Sequence, residues 1–386
     1  LDRSPVAVPS TDQGEIHALV ETLEGFPLAI ELAAARTRLL PVTEIRRRLT
    51  VDIRVLAGGR EDRPERHRSV EGSLRWSWEL LSESARRALG QLSVFEGGFG
   101  LPAAAAVLDG DGWALDVLRE LVEASFVRVD REGSRFSMLA MVQQFASRRL
   151  TGPDRQIAES RHGAYFAQYG APEALAALVG PTGTDRIWAL VGEVENLMTA
   201  SRRAVDRAEG PVAAATAFAA WEVYAVRGPV TAGIAMLEAV HGMPALTPGG
   251  RGSVSAALAR AYDLAGRFTE AIARYEATLG LFRALEDRSE IARAELWLGN
   301  LLQTLGRCDE GRALCEAALS AYRDLADRNA EGTALGDLGS HHMAQGRIDE
   351  ARSCYDAALA ILREVGNRRV EGVCLMNLGL LHAYQG

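Results

Sequence analysis

The chain has no lysine; every one of its 43 basic residues is arginine. A Schiff-base amine, a lysine general base and a Gly-Lys-Ser/Thr phosphate loop each need an ammonium group, so all three are excluded. Cysteine is sparse as well. Cys308, Cys315, Cys354 and Cys374 show no Cys-x-x-Cys spacing, which reads as buried thiols in a reducing compartment, not as a disulfide framework or a metal site. The seven histidines are scattered and give no Ser-His-Asp or Cys-His order, so no catalytic site is expected. Long apolar runs are missing too. The uncharged stretch from Pro211 to Trp221 is too short to span a bilayer, and the first residues carry no basic and apolar signal, so the cytoplasm is the expected compartment. Net charge is −8, with 20 Arg against 22 acids over residues 1–150 and 23 against 29 over the rest. Neither part has the positive balance of a nucleic-acid module.

What is present is a repeat. Gly266-Arg267, Gly306-Arg307 and Gly346-Arg347 recur every 40 residues, and Gly386 falls on the next beat. Leu298-Gly299, Leu338-Gly339 and Leu378-Gly379 keep the same step, as do Asp287-Arg288, Asp327-Arg328 and Asn367-Arg368. Apolar residues lie at helical spacing on both sides of each Gly-Arg turn, as in Leu298, Leu301, Leu302 and Leu305, then Leu314, Ala317, Ala318 and Leu319. Each unit is therefore two helices. The glycine permits a positive φ where the first ends, and the acid that follows suits the positive end of the second. Such hairpins bury their apolar faces only by stacking into a superhelix with one concave side.

Residues 251–386 resemble tetratricopeptide repeats through Leu298-Gly299, the small Ala318 and Ala358, and Tyr275 and Tyr355 in second helices. They depart from that pattern in unit length, in Gly311 and Cys315 where Ala and an aromatic are usual, and in the missing terminal Pro. Trp221 to Gly242, around Arg227-Gly228, reads as a degenerate unit of the same kind.

Ahead of the repeats the pattern is different. Helices are expected over 12–23, 29–40 and 42–49, broken by Gly25-Phe26-Pro27-Leu28, followed by a charged linker at 58–68. Residues 69–150 predict helices over 74–81, 83–92, 102–108 and 113–124. A hairpin of 125–130 and 135–138 and a helix over 139–150 complete a winged-helix pattern. The candidate reading helix, Trp113 to Ala124, holds Arg119 against Asp116, Glu120 and Glu123, which is the wrong sign for a groove lined by phosphates. Direct DNA contact is therefore not expected. The division is 1–57, 58–68, 69–150, a connector over 151–250, and repeats over 251–386. The fold class is mainly α: a small bundle and a winged helix, then an α-solenoid.

Gly25 to Arg36, Leu74-Arg75-Trp76-Ser77-Trp78-Glu79-Leu80-Leu81, Phe95-Glu96-Gly97-Gly98-Phe99 and Arg135-Phe136-Ser137-Met138-Leu139 are similar, in order, to the C-terminal half of an NB-ARC signal-transduction ATPase. The match runs over 12–150 and on through Arg161-His162 and Glu195-Asn196-Leu197. It resembles bacterial transcriptional regulators that join this module to tetratricopeptide repeats. The resemblance implies an upstream domain binding ADP or ATP, a winged helix packed on the nucleotide, and Gly25, Pro27 and Leu28 on the adenine side. A plain helix break by Gly and Pro is the alternative for the same residues. The chain opens without Met and holds no phosphate loop, so it is expected to be part of a longer protein and to bind no nucleotide alone. Met138-Leu139-Ala140 lacks the His-Asp of eukaryotic members of the family.

The repeat alignment points two columns inward: Arg260, Asn300, Ser340 and Leu380, and Ala257, Trp297, Asp337 and Asn377. Arg260, Trp297, Asn300, Asp337, Ser340 and Asn377 are the candidate groove for a protein, peptide or small inducer. Trp297 could equally seal neighbouring units. His342 and His382 share a column with Tyr262 and Leu302, which points to packing and not to a metal. Two functions remain open: the sensor half of a switch ATPase, and an interaction scaffold independent of nucleotide.

Overall fold

The computed structural model describes residues 10–23, 27–37, 40–49, 69–108 and 114–385. Gly25 and the linker at 58–68 lie outside the described residues, as do the side chains of Pro27 and Leu28. The chain is mainly α and divides into two compact units, Leu1–His162 and Gly163–Gly386.

The first unit opens with α1 (Ser10–Thr22), α2 (Pro27–Arg36) and α3 (Val42–Leu49). Pro27 is the first residue of α2, where its missing N–H costs no hydrogen bond, so this helix starts and ends earlier than its sequence pattern suggested. Then come α4 (Val70–Leu80) and α5 (Glu83–Leu92), whose starts are fixed by Ser69 and Ser82 accepting from Gly72 N at 2.9 Å and Ala85 N at 3.1 Å. The cap at Ser69 moves the start of α4 four residues ahead of the expected Leu74.

The rest of the unit is β1 (Phe99–Gly100), α6 (Leu101–Val107), α7 (Ala114–Glu123), β2 (Arg128–Val129), β3 (Arg135–Ser137), α8 (Ala140–Ser147) and the first part of α9 (Gly152–Ala167), a helix that spans the division at His162. The sheet is antiparallel in the order β1-β3-β2, with Phe99 opposite Phe136 and Arg128 opposite Ser137. Asp130 shapes the β2–β3 turn by accepting from Ser134 N at 2.9 Å and Arg135 N at 3.2 Å. Leu89, Leu92, Phe99, Phe126 and Phe145 are sealed in the core, each burial worth about 2 kcal/mol. On α7, Arg119 pairs with Asp116 at 3.3 Å, and Glu120 accepts from Ser82 N and Oγ at 2.8 Å each. Part of the helix's charge is thereby spent inside the unit.

The second unit continues with α10 (Pro172–Ala176), α11 (Gly183–Asp206), α12 (Gly210–Arg227) and α13 (Val230–His241). The regular hairpins follow: α14 (Pro248–Leu264) with α15 (Phe268–Ala284), α16 (Arg288–Thr304) with α17 (Cys308–Asp324), and α18 (Arg328–Ala344) with α19 (Ile348–Val365). A last helix is α20 (Arg368–Gln385). The turn glycines take φ of +73°, +79° and +72° at 266, 306 and 346. Asp287, Asp327 and Asn367 cap α16, α18 and α20, accepting from Glu290 N, Ala330 N and Val370 N at 3.0–3.2 Å. Gly299 lets α16 and α17 close up, since a Cβ there would stand 2.7 Å from Gly311 O. The first helices α14, α16, α18 and α20 touch in succession, and the second helices make no comparable contact with one another. The row of first helices is therefore the inner, concave one.

Candidate functional site

The expected inward columns meet in rungs. A residue near the middle of one first helix lies beside the residue 37 positions later on the next. Arg260 places its guanidinium 5.2 Å from the centre of the Trp297 ring. Asn300 Nδ2 donates to Asp337 Oδ2 at 2.8 Å, and Asn377 Nδ2 donates to Ser340 Oγ at 3.3 Å. Gln303 Nε2 adds a bond to Ser340 O at 3.2 Å. Four of the six candidate groove residues, Asn300, Asp337, Ser340 and Asn377, thus bond one another across neighbouring units.

The middle rung is the most perturbed. Burial pushes the Asp337 carboxyl up to about 6, against the donated bond from Asn300. Burial, with His342 and Arg312 nearby, takes His341 down to about 4. His341 Nε2 lies 3.2 Å from Asn300 Oδ1 and 3.4 Å from Cys315 Sγ. Because Asn300 gives its N–H to Asp337, its Oδ1 faces the imidazole as acceptor, which assigns the proton to Nε2. This imidazole explains the repeat's departures from pattern. It stands where Gly311 and Cys315 leave room: a Cβ on Gly311 would meet His341 Cε1 at 3.1 Å, while the aromatic Tyr355 fills the corresponding place one unit on. Burial raises the Cys315 thiol and Cys374, the latter to about 11, so neither is a thiolate at neutral pH. His342 is partly buried and His382 exposed, and among the described residues no three His, Cys, Asp or Glu gather as a metal site. The middle rung is a polar seam holding the stack in register.

At the front of the array the arrangement changes. A cavity of about 540 Å³ opens between the α10–α11 segment and the inner row. Leu175, Leu178, Val179, Ile187, Val191 and Val226 make it apolar. Its polar lining is unequal: Arg227, Arg260, Arg368 and Arg369 against Glu222. Glu222 sits 3.8 Å from Arg260, and Arg368 bonds Glu371 at 2.9 Å. No carboxylate pairs with Arg227 or Arg369 among the described residues. Arg227 lies 4.9 Å over the ring of Trp188, which is 58% exposed. Trp297 has Arg260 and Arg293 at 5.2 and 5.4 Å, and Tyr275 at 6.5 Å. The 178–183 turn reaches the junction of α19 and α20, since a Cβ on Gly366 would meet Pro181 Cγ at 2.8 Å. Of the expected groove, Arg260 and Trp297 line this cavity.

Residues 330–386 match the tetratricopeptide repeat family. The array is a repeat scaffold of that type. A Mycobacterium tuberculosis protein named provisionally as an HTH-type transcriptional regulator is 33% identical over 162 residues, covering 40% of this chain and 18% of that protein. An uncharacterised protein of the same species is 37% identical over 158 residues, 39% of this chain and 40% of its own length. The chain thus spans less than a fifth of the first of these relatives and two fifths of the second. A solved signal-transduction ATPase with a tetratricopeptide repeat sensor, from Pyrococcus horikoshii, aligns over 90% of this chain and 61% of its own at 14% identity, with a TM-score of 0.32.

Trp188, Arg227, Arg368 and Arg369 are site residues that sequence reasoning missed. Trp188 precedes the repeats, and the three arginines fall outside the two inward columns. The unequal pairing of Arg and acid around 227 and 369 was the available signal.

Proposed function

We propose that this chain is the sensor part of a signalling switch: residues 163–386 take up a ligand on the inner face of the repeats, and residues 1–162 pass that event to a nucleotide-binding domain elsewhere in the parent protein. The observation that carries the reading is the cavity, a concave apolar site with a few convergent charged groups, set into a repeat scaffold. The NB-ARC-like motifs of residues 12–150 and the similarity to proteins named as transcriptional regulators support the relay and the regulatory output. ADP or ATP would be held by the parent protein, with the helix beginning at Pro27 on the adenine side. A ligand shifts such a switch only through differential affinity for its two states. In the product of the complete gene, ADP affinity is expected to change when residues 163–386 are removed. Equal affinity with and without them would end the relay reading.

One observation favours an interaction scaffold without nucleotide. The segment at the start of α8 presents Met138, a buried Leu139 and Ala140, and so offers no imidazole or acid to a phosphate. Under that reading ADP affinity is independent of the array while ligand uptake persists.

A further inference from the structure

Resting on the receptor reading of residues 163–386, we infer that the cavity takes a small organic anion. The ligand would be a flat apolar body bearing a carboxylate or phosphate, with the charge at Arg227 and Arg369 and the body between Trp188 and Trp297. The positive charge is local. The chain carries −8 overall, yet this cavity has four guanidinium groups and one carboxylate in its lining. Arg260 and Arg368 already face Glu222 and Glu371, which leaves Arg227 and Arg369 for an incoming anion. The Arg227 guanidinium, held 4.9 Å over the Trp188 ring, keeps N–H donors for a ligand, and a guanidinium fork fits carboxylate and phosphate oxygens.

The remaining lining sets the rest of the ligand. Trp188, Trp297, Ile187 and Val226 offer rings and aliphatic walls and few further polar groups, so the uncharged part is apolar and gains most from being flat. A volume of about 540 Å³ lies inside the usual range of small-molecule sites. The approach of Pro181 to Gly366 ties the 178–183 turn to the linker between α19 and α20 and limits length, which favours a small molecule over an extended peptide. Stacked repeats ordinarily contact only their neighbours. An anion joining Arg227 to Arg369 would instead link α12 to α20, helices that are not neighbours in the stack.

The test uses the whole 386-residue chain and two probes with one skeleton: 8-anilinonaphthalene-1-sulfonate, whose sulfonate stands in for the anion, and neutral N-phenyl-1-naphthylamine. The sulfonate is expected to bind the native chain, and the Arg227→Gln/Arg369→Gln variant to weaken it about tenfold or more while changing the neutral probe less than about twofold. Competition by 1-naphthoate and by 1-naphthyl phosphate separates carboxylate from phosphate. Unchanged sulfonate affinity in the double variant overturns the inference, as does an equal loss of both probes. Leu375→Gln/Met376→Gln, at exposed apolar residues of α20 that do not line the cavity, is expected to leave the affinity unchanged. If that pair abolishes sulfonate binding, the probe was reading α20 and the cavity assignment is wrong. Arginine-dependent binding with no change in ADP release by the parent protein keeps this site and defeats the relay reading.

Discussion

Along the second unit the regular hairpins repeat the same polar pairings from one unit to the next; the cavity beside α10 and α11 draws its polar residues from several helices and leaves two arginines without a carboxylate among the described residues. In the regular part Asn300 faces Asp337, Ser340 faces Asn377, and Glu331 and Glu371 each receive two arginines in the same relative positions. Around the cavity, Arg227 of α12 and Arg369 of α20 have no carboxylate partners among the described residues. Repetition lets one solution to pairing be copied from unit to unit. A foreign ligand finds room only where the copying stops.

The packing glycines separate the two regions most strongly. Gly299→Ala puts a methyl 2.7 Å from Gly311 O and Cys315 Sγ, and is expected to cost about 3 kcal/mol in urea unfolding. Gly180→Ala, at the cavity, meets only Ala177 O at 3.6 Å and should change stability by less than about 0.5 kcal/mol. Similar losses at both sites would erase the distinction between a tight stack and an open front.

Next in size is the polar seam. Asp337 has its folded pKa raised to about 6, so its contribution is full below the ordinary carboxyl value and is lost as pH rises through 6. Asp337→Asn keeps an acceptor for Asn300 and does not titrate. It is expected to be more stable than the native chain by about 2 kcal/mol at pH 7.5, with the gap closing toward pH 4. His341 has the opposite sign: depressed to about 4, it stabilises above its usual value near 6.5 and loses that contribution as pH falls through 4. A gap independent of pH would mean that Asp337 is not the desolvated group described.

A smaller effect belongs to the linkers between hairpins. Glu286, Ala326 and Gly366 occupy one column with φ of +56°, +55° and +75°. Ala326→Gly should therefore raise stability by about 1 kcal/mol, measured by denaturant midpoint. Smallest of all, Arg227→Gln and Arg369→Gln should each shift stability by less than about 0.5 kcal/mol, because no ion pair is lost. A larger loss would show that these arginines hold the fold and are not reserved for a ligand.

Much of this was legible before folding. Gly266, Gly306 and Gly346 had to mark turns because their φ is open to glycine and costly to other residues. The columns Arg260/Asn300/Ser340 and Trp297/Asp337/Asn377 were visible as columns, but their pairing was not. It depends on a 37-residue step, three short of the repeat, that comes from how one helix leans on the next. Strand β1 escaped notice because two residues give no alternation to read. Gly311 and Cys315 read only as departures from the repeat pattern, and His341 was not singled out; the space those two vacate, and the imidazole that fills it, belong to different helices.

The amino-acid order by itself determined the helical hairpins, their 40-residue period, the capping residues and the absence of lysine chemistry, because each follows from local backbone preference or from side-chain type. Tertiary structure decided which polar residues satisfy one another and which stay free to bind. Trp188, Arg227, Trp297 and Arg369 span more than 180 residues of chain, and only the curvature of the stacked helices brings them around one cavity.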